Sequence, residues 1–233
     1  KKSDKPFLAT YLTSAPHHDY LAPSKRHGRE EYTDNDLVNR YLNSVRNEDF
    51  FLKDLFDQYK KLGLYDDTVF VILGDHGEGF GEHGRYQHDN TIYEEGLRIP
   101  MFIHDPRQFQ NGATLRGPVN QLDILPTVAD LLGYEIEGGK YGGSSLLRPI
   151  RKDRTFLFSC WNESGCLASL RGTEKYIYHF DDRPEEVFDL SEDPVERRNL
   201  AGEHSAEELE KRRTEVLDWR AKVNSTYGMQ ETT

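Results

Sequence analysis

The sequence predicts an α/β fold: a mostly parallel sheet covered by helices, then a small antiparallel sheet and a terminal helix. Three observations predict it. The run Thr68–Leu73 is continuously β-branched, aromatic or apolar, the mark of a strand buried on both faces. Residues Asp34–Leu62 repeat apolar positions at helical spacing. After about Pro149 the pattern shortens to brief strands separated by turn residues.

Taken in order, Phe7–Leu12 reads as a buried strand bounded by Pro6 and the turn signal Ser14-Ala15-Pro16. The helix over Asp34–Leu62 carries Leu37, Tyr41, Val45, Phe51, Leu52, Leu55, Phe56 and Tyr59, with Thr33 or Asp34 as its cap and Gly63 as its stop. Arg98–His104 reads as another strand, and Gln121–Leu132 as a helix ended by Gly133. Four short strands follow, over Thr155–Phe158, Leu167–Leu170, Lys175–Tyr178 and Glu186–Leu190, then an amphipathic helix over Glu207–Val223 anchored by Leu209, Val216, Leu217 and Trp219. The change of character divides the chain into residues 1–150 and 151–233.

The chain has 233 residues, 30% of them charged, and a formal net charge of −11. That balance argues against nonspecific binding to nucleic acid, which needs a basic surface. An acidic protein still takes an anionic substrate where a metal ion or a local basic cluster reverses the field. No apolar segment approaches the roughly 18 residues of a membrane span. The N-terminus lacks a signal-peptide cleavage pattern and starts almost directly in the first strand, as an excised piece of a longer chain would. Cys160 and Cys166 are compatible with a small closed loop or with two free thiols.

Val69–Pro100, VFVILGDHGEGFGEHGRYQHDNTIYEEGLRIP, is unlike the rest of the chain. An apolar run ends in Gly74-Asp75-His76-Gly77, and further histidine and carboxylate clusters precede the next apolar run. Asp75 and His76 fall at the carboxyl end of a strand, where open α/β sheets place their ligand crevice. A carboxylate oxygen and an imidazole nitrogen are good ligands for a divalent cation. The bland reading is a tight glycine turn whose aspartate caps a helix, and for Asp-His-Gly alone the two readings weigh about equally.

The longer pattern shifts that balance. Asp75-His76-Gly77-Glu78, Gly81-Glu82-His83-Gly84, Tyr93-Glu94-Glu95 and Arg98-Ile99-Pro100 follow one another in order, and this run resembles the sulfatase-like branch of the alkaline phosphatase superfamily. Thr13–Tyr20, TSAPHHDY, is similar to the family's strand-end histidine segment, with His17 as the favoured counterpart and Asp19 where proline is usual. Glu186–Leu190 with Asp193-Pro194, Glu196 and Asn199-Leu200 is similar to the sulfatase ending.

The resemblance implies that residues 1–150 are the C-terminal portion of the catalytic α/β domain and 151–233 its small terminal subdomain. It implies metal ligation by Asp75 and His76, and substrate contact by His17 and His88 in catalytic roles. His83 reads as structural or supporting, and His104 has no assigned role. The implied cofactor is a divalent cation, Ca2+ for a sulfatase, or Zn2+ or Mn2+ for a phosphotransferase-like enzyme. The implied substrate is a small sulfated or phosphorylated ester, and the implied location is extracytoplasmic: periplasmic, secreted or membrane-tethered through an N-terminal part.

His88 bears on the substrate. Sulfatases commonly carry a lysine thirteen positions after the metal aspartate, whereas the related phosphoethanolamine transferases carry histidine. His88 thus pulls toward phosphoryl chemistry or a two-metal site, while the Tyr93-Glu94-Glu95 run and the C-terminal segment pull toward the sulfatases. The leading expectation is hydrolysis of sulfate esters, with phosphoryl, phosphoethanolamine or phosphoglycerol transfer or phosphoester hydrolysis as the alternative. Neither Cys160 nor Cys166 begins the family's Cys/Ser-x-Pro-x-Arg nucleophile motif. The chain is thus expected to be a fragment, inactive alone, whose partner is the N-terminal remainder of the catalytic domain. A noncatalytic binding module of the same fold is the reading from another class.

Overall fold

The computed structural model describes residues 5–21, 25–88, 91–138, 141–160 and 165–228. Contacts divide the chain into two compact units, residues 1–73 with 101–112, and residues 74–100 with 113–233.

In the first unit, Phe7–Leu12 is not a strand: Leu8 is 92% and Leu12 89% exposed, and the segment joins no sheet among the described residues. The helix is present as α1, Asp36–Lys61. Its cap is Asn35 rather than Thr33 or Asp34: the Asn35 side chain accepts from the backbone N–H of Leu37 and Val38. Gly63, at φ 66°, lies just past its end.

The face that α1 buries most completely is polar, not the apolar stripe that the spacing suggested. Asn39, Asn43 and Asn47, one helical turn apart, are buried together with Ser44. Asn43 donates to the Glu30 carbonyl at 2.8 Å and accepts from the Glu30 N–H at 2.9 Å, and Asn39 accepts from the Tyr32 N–H at 2.8 Å. These amides replace water for a loop backbone laid along the helix, which is why they can be buried. Apolar contact gathers nearer the helix end, where Phe56 and Tyr59 meet Phe70 edge-on at centroid distances of 4.9 and 5.2 Å.

Strand β1, Phe70–Leu73, pairs with β4, Met101–His104, and the pair is antiparallel. The parallel, doubly buried setting expected of β1 is not what this pair shows: burial falls along the strand to an exposed Leu73. Continuous apolar character marks a strand here without fixing the direction of its neighbour.

In the second unit, β2 (Gly79–Phe80) and β3 (Tyr86–Gln87) form a short hairpin. The four-residue α2, Glu94–Leu97, follows, and then α3, Ile124–Leu132, entered through a single tight turn and closed by Gly133 at φ 73°. The terminal sheet is the expected antiparallel meander: β5 (Thr155–Ser159), β6 (Cys166–Arg171), β7 (Glu174–His179) and β8 (Glu186–Asp189) in that order. Helix α4, Ala206–Tyr227, opens on a capping box between Ser205 and Glu208. Cys160 and Cys166 are joined as a disulfide beside the β5–β6 pairing.

Alternation along these strands sorts two cores. Leu167, Tyr176 and Val187 point one way and pack with Val216 of α4. Cys166, Ala168, Ile177 and Phe188 point the other way and pack with Ile92 and Tyr93. Burying each large apolar side chain contributes roughly 1.5–3 kcal/mol, so both faces of this sheet contribute to stability.

Asp123, fully buried, is held by the two terminal guanidinium nitrogens of Arg154 at 2.8 and 3.0 Å and by the Ser144 and Asn120 N–H groups. Burial pushes its pKa up, but the Arg154 hydrogen bonds and the two backbone donors outweigh that and hold it below the usual carboxylate value. Arg154→Met leaves that carboxylate buried without its charge partner and is expected to cost about 3–5 kcal/mol. Urea unfolding measures the loss, and a loss below about 1 kcal/mol would contradict the account.

Candidate active site

The turn that carries Asp75 and His76 is fixed by backbone contacts. Gly74 N–H donates to the Pro100 carbonyl at 3.1 Å and Gly77 N–H to the Gly96 carbonyl at 2.8 Å. On the same turn Gln121 Nε2 donates to the carbonyls of Gly74 and Asp75, at 3.2 and 2.8 Å. A Cβ at Gly77 would overlap the Glu95 carbonyl oxygen, and one at Gly96 would overlap the Thr91 side chain. Glycine is therefore required at both positions for close approach of two backbones.

His76 Nδ1 lies 2.8 Å from the Gly77 carbonyl oxygen, which can only accept. In the tautomer this selects, Nδ1 carries the proton and Nε2 the lone pair. Nε2 stands 3.5 Å from Asp75 Oδ2. Two acceptors side by side, with the remote ring nitrogen donating to a carbonyl, are the donor arrangement that a divalent cation takes. The side chains are 74% and 39% exposed for Asp75 and His76, so both are open to an ion. These two residues fit part of a coordination shell. No group of three or more His, Cys, Asp or Glu side chains is gathered for a metal among the described residues.

His88 comes to the same place. Its ring stacks on that of His76 with centroids 3.9 Å apart, and its Nδ1 lies 3.3 and 3.4 Å from the two carboxylate oxygens of Glu78. Glu78 is the residue that sequence reasoning left without a role, although it stands within the Asp-His-Gly-Glu run. Its side chain is 5% exposed. The hairpin register explains the meeting: Gly79 pairs with Gln87, so Glu78 and His88 flank the first rung from opposite strands. Two-residue strands are too short to be read from sequence alternation.

His83, read from sequence as structural or supporting, is held at both ring nitrogens. Its Nδ1 meets Glu95 Oε1 and its Nε2 the Glu196 carbonyl oxygen, both at 2.9 Å, and its ring lies flat on Tyr93. Acceptors at both nitrogens favour the imidazolium. His17 belongs to the first unit, in consecutive turns where its carbonyl accepts from Tyr20 N–H at 2.9 Å. The side chain is exposed, and its ring sits against His18 at 4.2 Å. His104, in the same unit, pairs with the Tyr65 hydroxyl at 2.7 Å.

With this geometry established, comparison with known proteins settles the family. The Sulfatase family model matches residues 1–134, and the model for the C-terminal region of N-sulphoglucosamine sulphohydrolase matches residues 81–222. The chain belongs to the sulfatase family. It is 31% identical to the lipoteichoic acid synthase-like protein of Bacillus subtilis (strain 168), over 63% of this chain and 25% of that protein. It is also 31% identical to the choline-sulfatase of Rhizobium meliloti (strain 1021), over 69% of this chain and 32% of that one.

A solved enzyme in complex with its substrate D-glucosamine-2-N,6-O-disulfate matches with a TM-score of 0.64 at 23% identity, covering 84% of this chain and 42% of that one. The chain thus spans roughly a quarter to a third of the two curated relatives. Its fold is the alkaline phosphatase-like α/β fold of the solved sulfatases.

The His83 environment makes stability depend on pH. Burial pulls the His83 pKa down, but the Glu196 carbonyl and the Glu95 carboxylate more than reverse this and hold it above the ordinary histidine value. A raised folded pKa gives stability that is complete below the unfolded value of about 6.5 and is lost as pH rises through the folded value. Thermal melts of wild type and His83→Gln from about pH 5 to 9 are expected to show the wild-type advantage largest at the acid end. An advantage that grows with pH would overturn this account.

Proposed function

We propose that this chain contributes to a metal-dependent hydrolase of small sulfate esters, with Asp75 and His76 as metal ligands. The observation that carries the reading is the pairing of Asp75 Oδ2 with the lone-pair nitrogen of His76, with His88 stacked beside it. Membership of the sulfatase family supports the reaction class, and divalent metals serve the family generally. A bound cation would supply Lewis-acid stabilisation of charge on the nonbridging oxygens of the ester.

The chain's own residues do the rest. Glu78 fixes the His88 ring through Nδ1, and so directs Nε2 as the nitrogen that meets the substrate anion or its leaving group. The Gly77–Gly96 contact and Gln121 hold the turn still, so that the ligand pair is preorganised. His17 is assigned a substrate contact on its sequence correspondence alone. The ion that suits the sulfate reading is Ca2+. In domain terms, residues 1–150 would serve the catalytic domain and 151–233 the terminal subdomain. The Cys160–Cys166 disulfide supports an extracytoplasmic setting, where such bridges persist. No helix of the described residues is long and apolar enough to cross a membrane.

A second reading, phosphoryl transfer or phosphoester hydrolysis with Zn2+ or Mn2+, is favoured by His88 itself. An imidazole oriented by a carboxylate can ligate a second metal, which the fixed cation of a lysine cannot.

In the full-length protein, Asp75→Ala is expected to lower kcat/KM for 4-nitrophenyl sulfate by on the order of a hundredfold or more, with the circular dichroism spectrum unchanged. Retained activity with unchanged metal content would remove Asp75 from the site. His88→Lys separates the two readings. Under the sulfate reading it keeps or raises turnover of 4-nitrophenyl sulfate, whereas complete loss would favour a metal-ligating His88.

A further inference from the structure

One buried cluster lies outside the groups used above. Lys175 on β7 is fully buried, and its Nζ reaches Glu94 Oε1 at 3.0 Å and Glu196 Oε1 at 2.8 Å. The Glu196 side chain is fully buried as well, and its Oε2 accepts the Glu94 backbone N–H at 2.5 Å. The Glu196 carbonyl meets His83 Nε2, and His83 Nδ1 meets Glu95. Glu196 itself sits at φ 53°, a left-handed conformation that a residue with a Cβ seldom adopts. Both ends of this one residue are thus directed at the segment Glu94–Glu95, one through the side chain and one through the backbone.

That segment is also the support of the proposed ligand turn. Gly77 N–H donates to Gly96 O, and the Glu95 carbonyl lies where a side chain at Gly77 would have to be. A shift of α2 against the terminal sheet therefore moves the backbone on which Asp75 and His76 are set. Lys175 reaches α2 because alternation puts it on the same face of β7 as Ile177, which packs with Ile92 and Tyr93.

We propose that Lys175 and Glu196 are positioning residues for the Asp75–His76 ligand pair, acting through Glu94 and the Gly77–Gly96 contact. The proposal rests on the metal-ligand reading given above. It makes the terminal sheet a part of the ion-binding apparatus, with no contact of its own to the ion.

The test is calorimetric titration of Ca2+ into the metal-stripped full-length protein, together with thermal melts. Lys175→Met is expected to weaken Ca2+ binding about tenfold while the protein remains folded at the assay temperature. Glu196→Ala is expected to do the same, and Glu196→Gln, which keeps one acceptor oxygen but turns the other position into a donor facing Lys175 Nζ or the Glu94 N–H, to fall between Glu196→Ala and wild type. Should Lys175→Met fail to fold, the two Glu196 variants decide the matter. Lower melting temperatures with wild-type Ca2+ affinity in Lys175→Met and Glu196→Ala, while Asp75→Ala loses the ion, would overturn the positioning role alone. Wild-type affinity in Asp75→Ala would overturn the metal-ligand reading, and the positioning role with it.

Discussion

The second unit depends on one buried ammonium group. Lys175 enters the sheet interior with no exposed surface and finds two carboxylates, Glu94 and Glu196, at hydrogen-bonding distance. A lone buried charge is costly enough that it would neutralise or disrupt its surroundings. The cluster is therefore possible only with Glu94 and Glu196 in place, and it ties together three stretches far apart in sequence. Around it the alternation of β6, β7 and β8 closes an apolar core on Ile92 and Tyr93. Tyr93 adds a hydroxyl bond to Glu186, which also takes His179 Nε2 at 2.8 Å. Most of the polar groups here meet one another; among the described residues His179 Nδ1 is buried without a hydrogen-bond partner, and Glu196 Oε1 has the Lys175 ammonium as an ion-pair partner only.

A second constraint is the contact of two backbones at Gly77 and Gly96. A side chain at Gly77 would overlap the Glu95 carbonyl and push the turn off α2, and one at Gly96 would overlap Thr91, so this region is built around what is missing from two residues. The consequence is rigidity without bulk. The turn from Gly74 to Gly77 is held by carbonyl and N–H groups, which leaves its side chains Asp75 and His76 exposed. The asparagine ladder of α1 follows the same logic in the other unit, where Asn39 and Asn43 supply hydrogen bonds to a loop with no regular partner.

Much of this was legible in the sequence. The Asp-His-Gly-Glu run located the turn, and the short strands after Pro149 gave the terminal meander and its helix, whereas the four-residue α2 is too short to show a helical period. What failed has physical causes. Phe7–Leu12 has the composition of a buried strand, but composition cannot supply a hydrogen-bonding neighbour. The apolar spacing of α1 was real, yet asparagines at the same helical period took the most buried face, because a loop backbone needs donors and acceptors there. Glu78 and His88 were paired by a hairpin whose strands are two residues long, below the length at which alternation carries a signal. Lys175 was read as part of a strand, and its burial depends on carboxylates 81 positions before it, at Glu94, and 21 after it, at Glu196.

Why an ionic cluster occupies this place, beside the apolar Ala168, Ile177 and Phe188 of the same sheet face, is a question of geometry rather than of strength. Replacing a buried ion pair with well-packed apolar groups is often neutral or stabilising. Apolar contact, however, is non-directional, and tolerates the sliding of one element against another. A lysine shared between two carboxylates, with one of those carboxylates also taking a backbone N–H, fixes α2 both along and across β7. On the proposed metal-ligand reading, a coordination shell tolerates little displacement of its donors, and a register that apolar packing leaves loose would then be set by hydrogen bonds. The left-handed backbone at Glu196 agrees with this: local strain of roughly 1–3 kcal/mol persists only where the surroundings over-determine a position, and here the Lys175, Glu94 and His83 contacts all converge on that one residue.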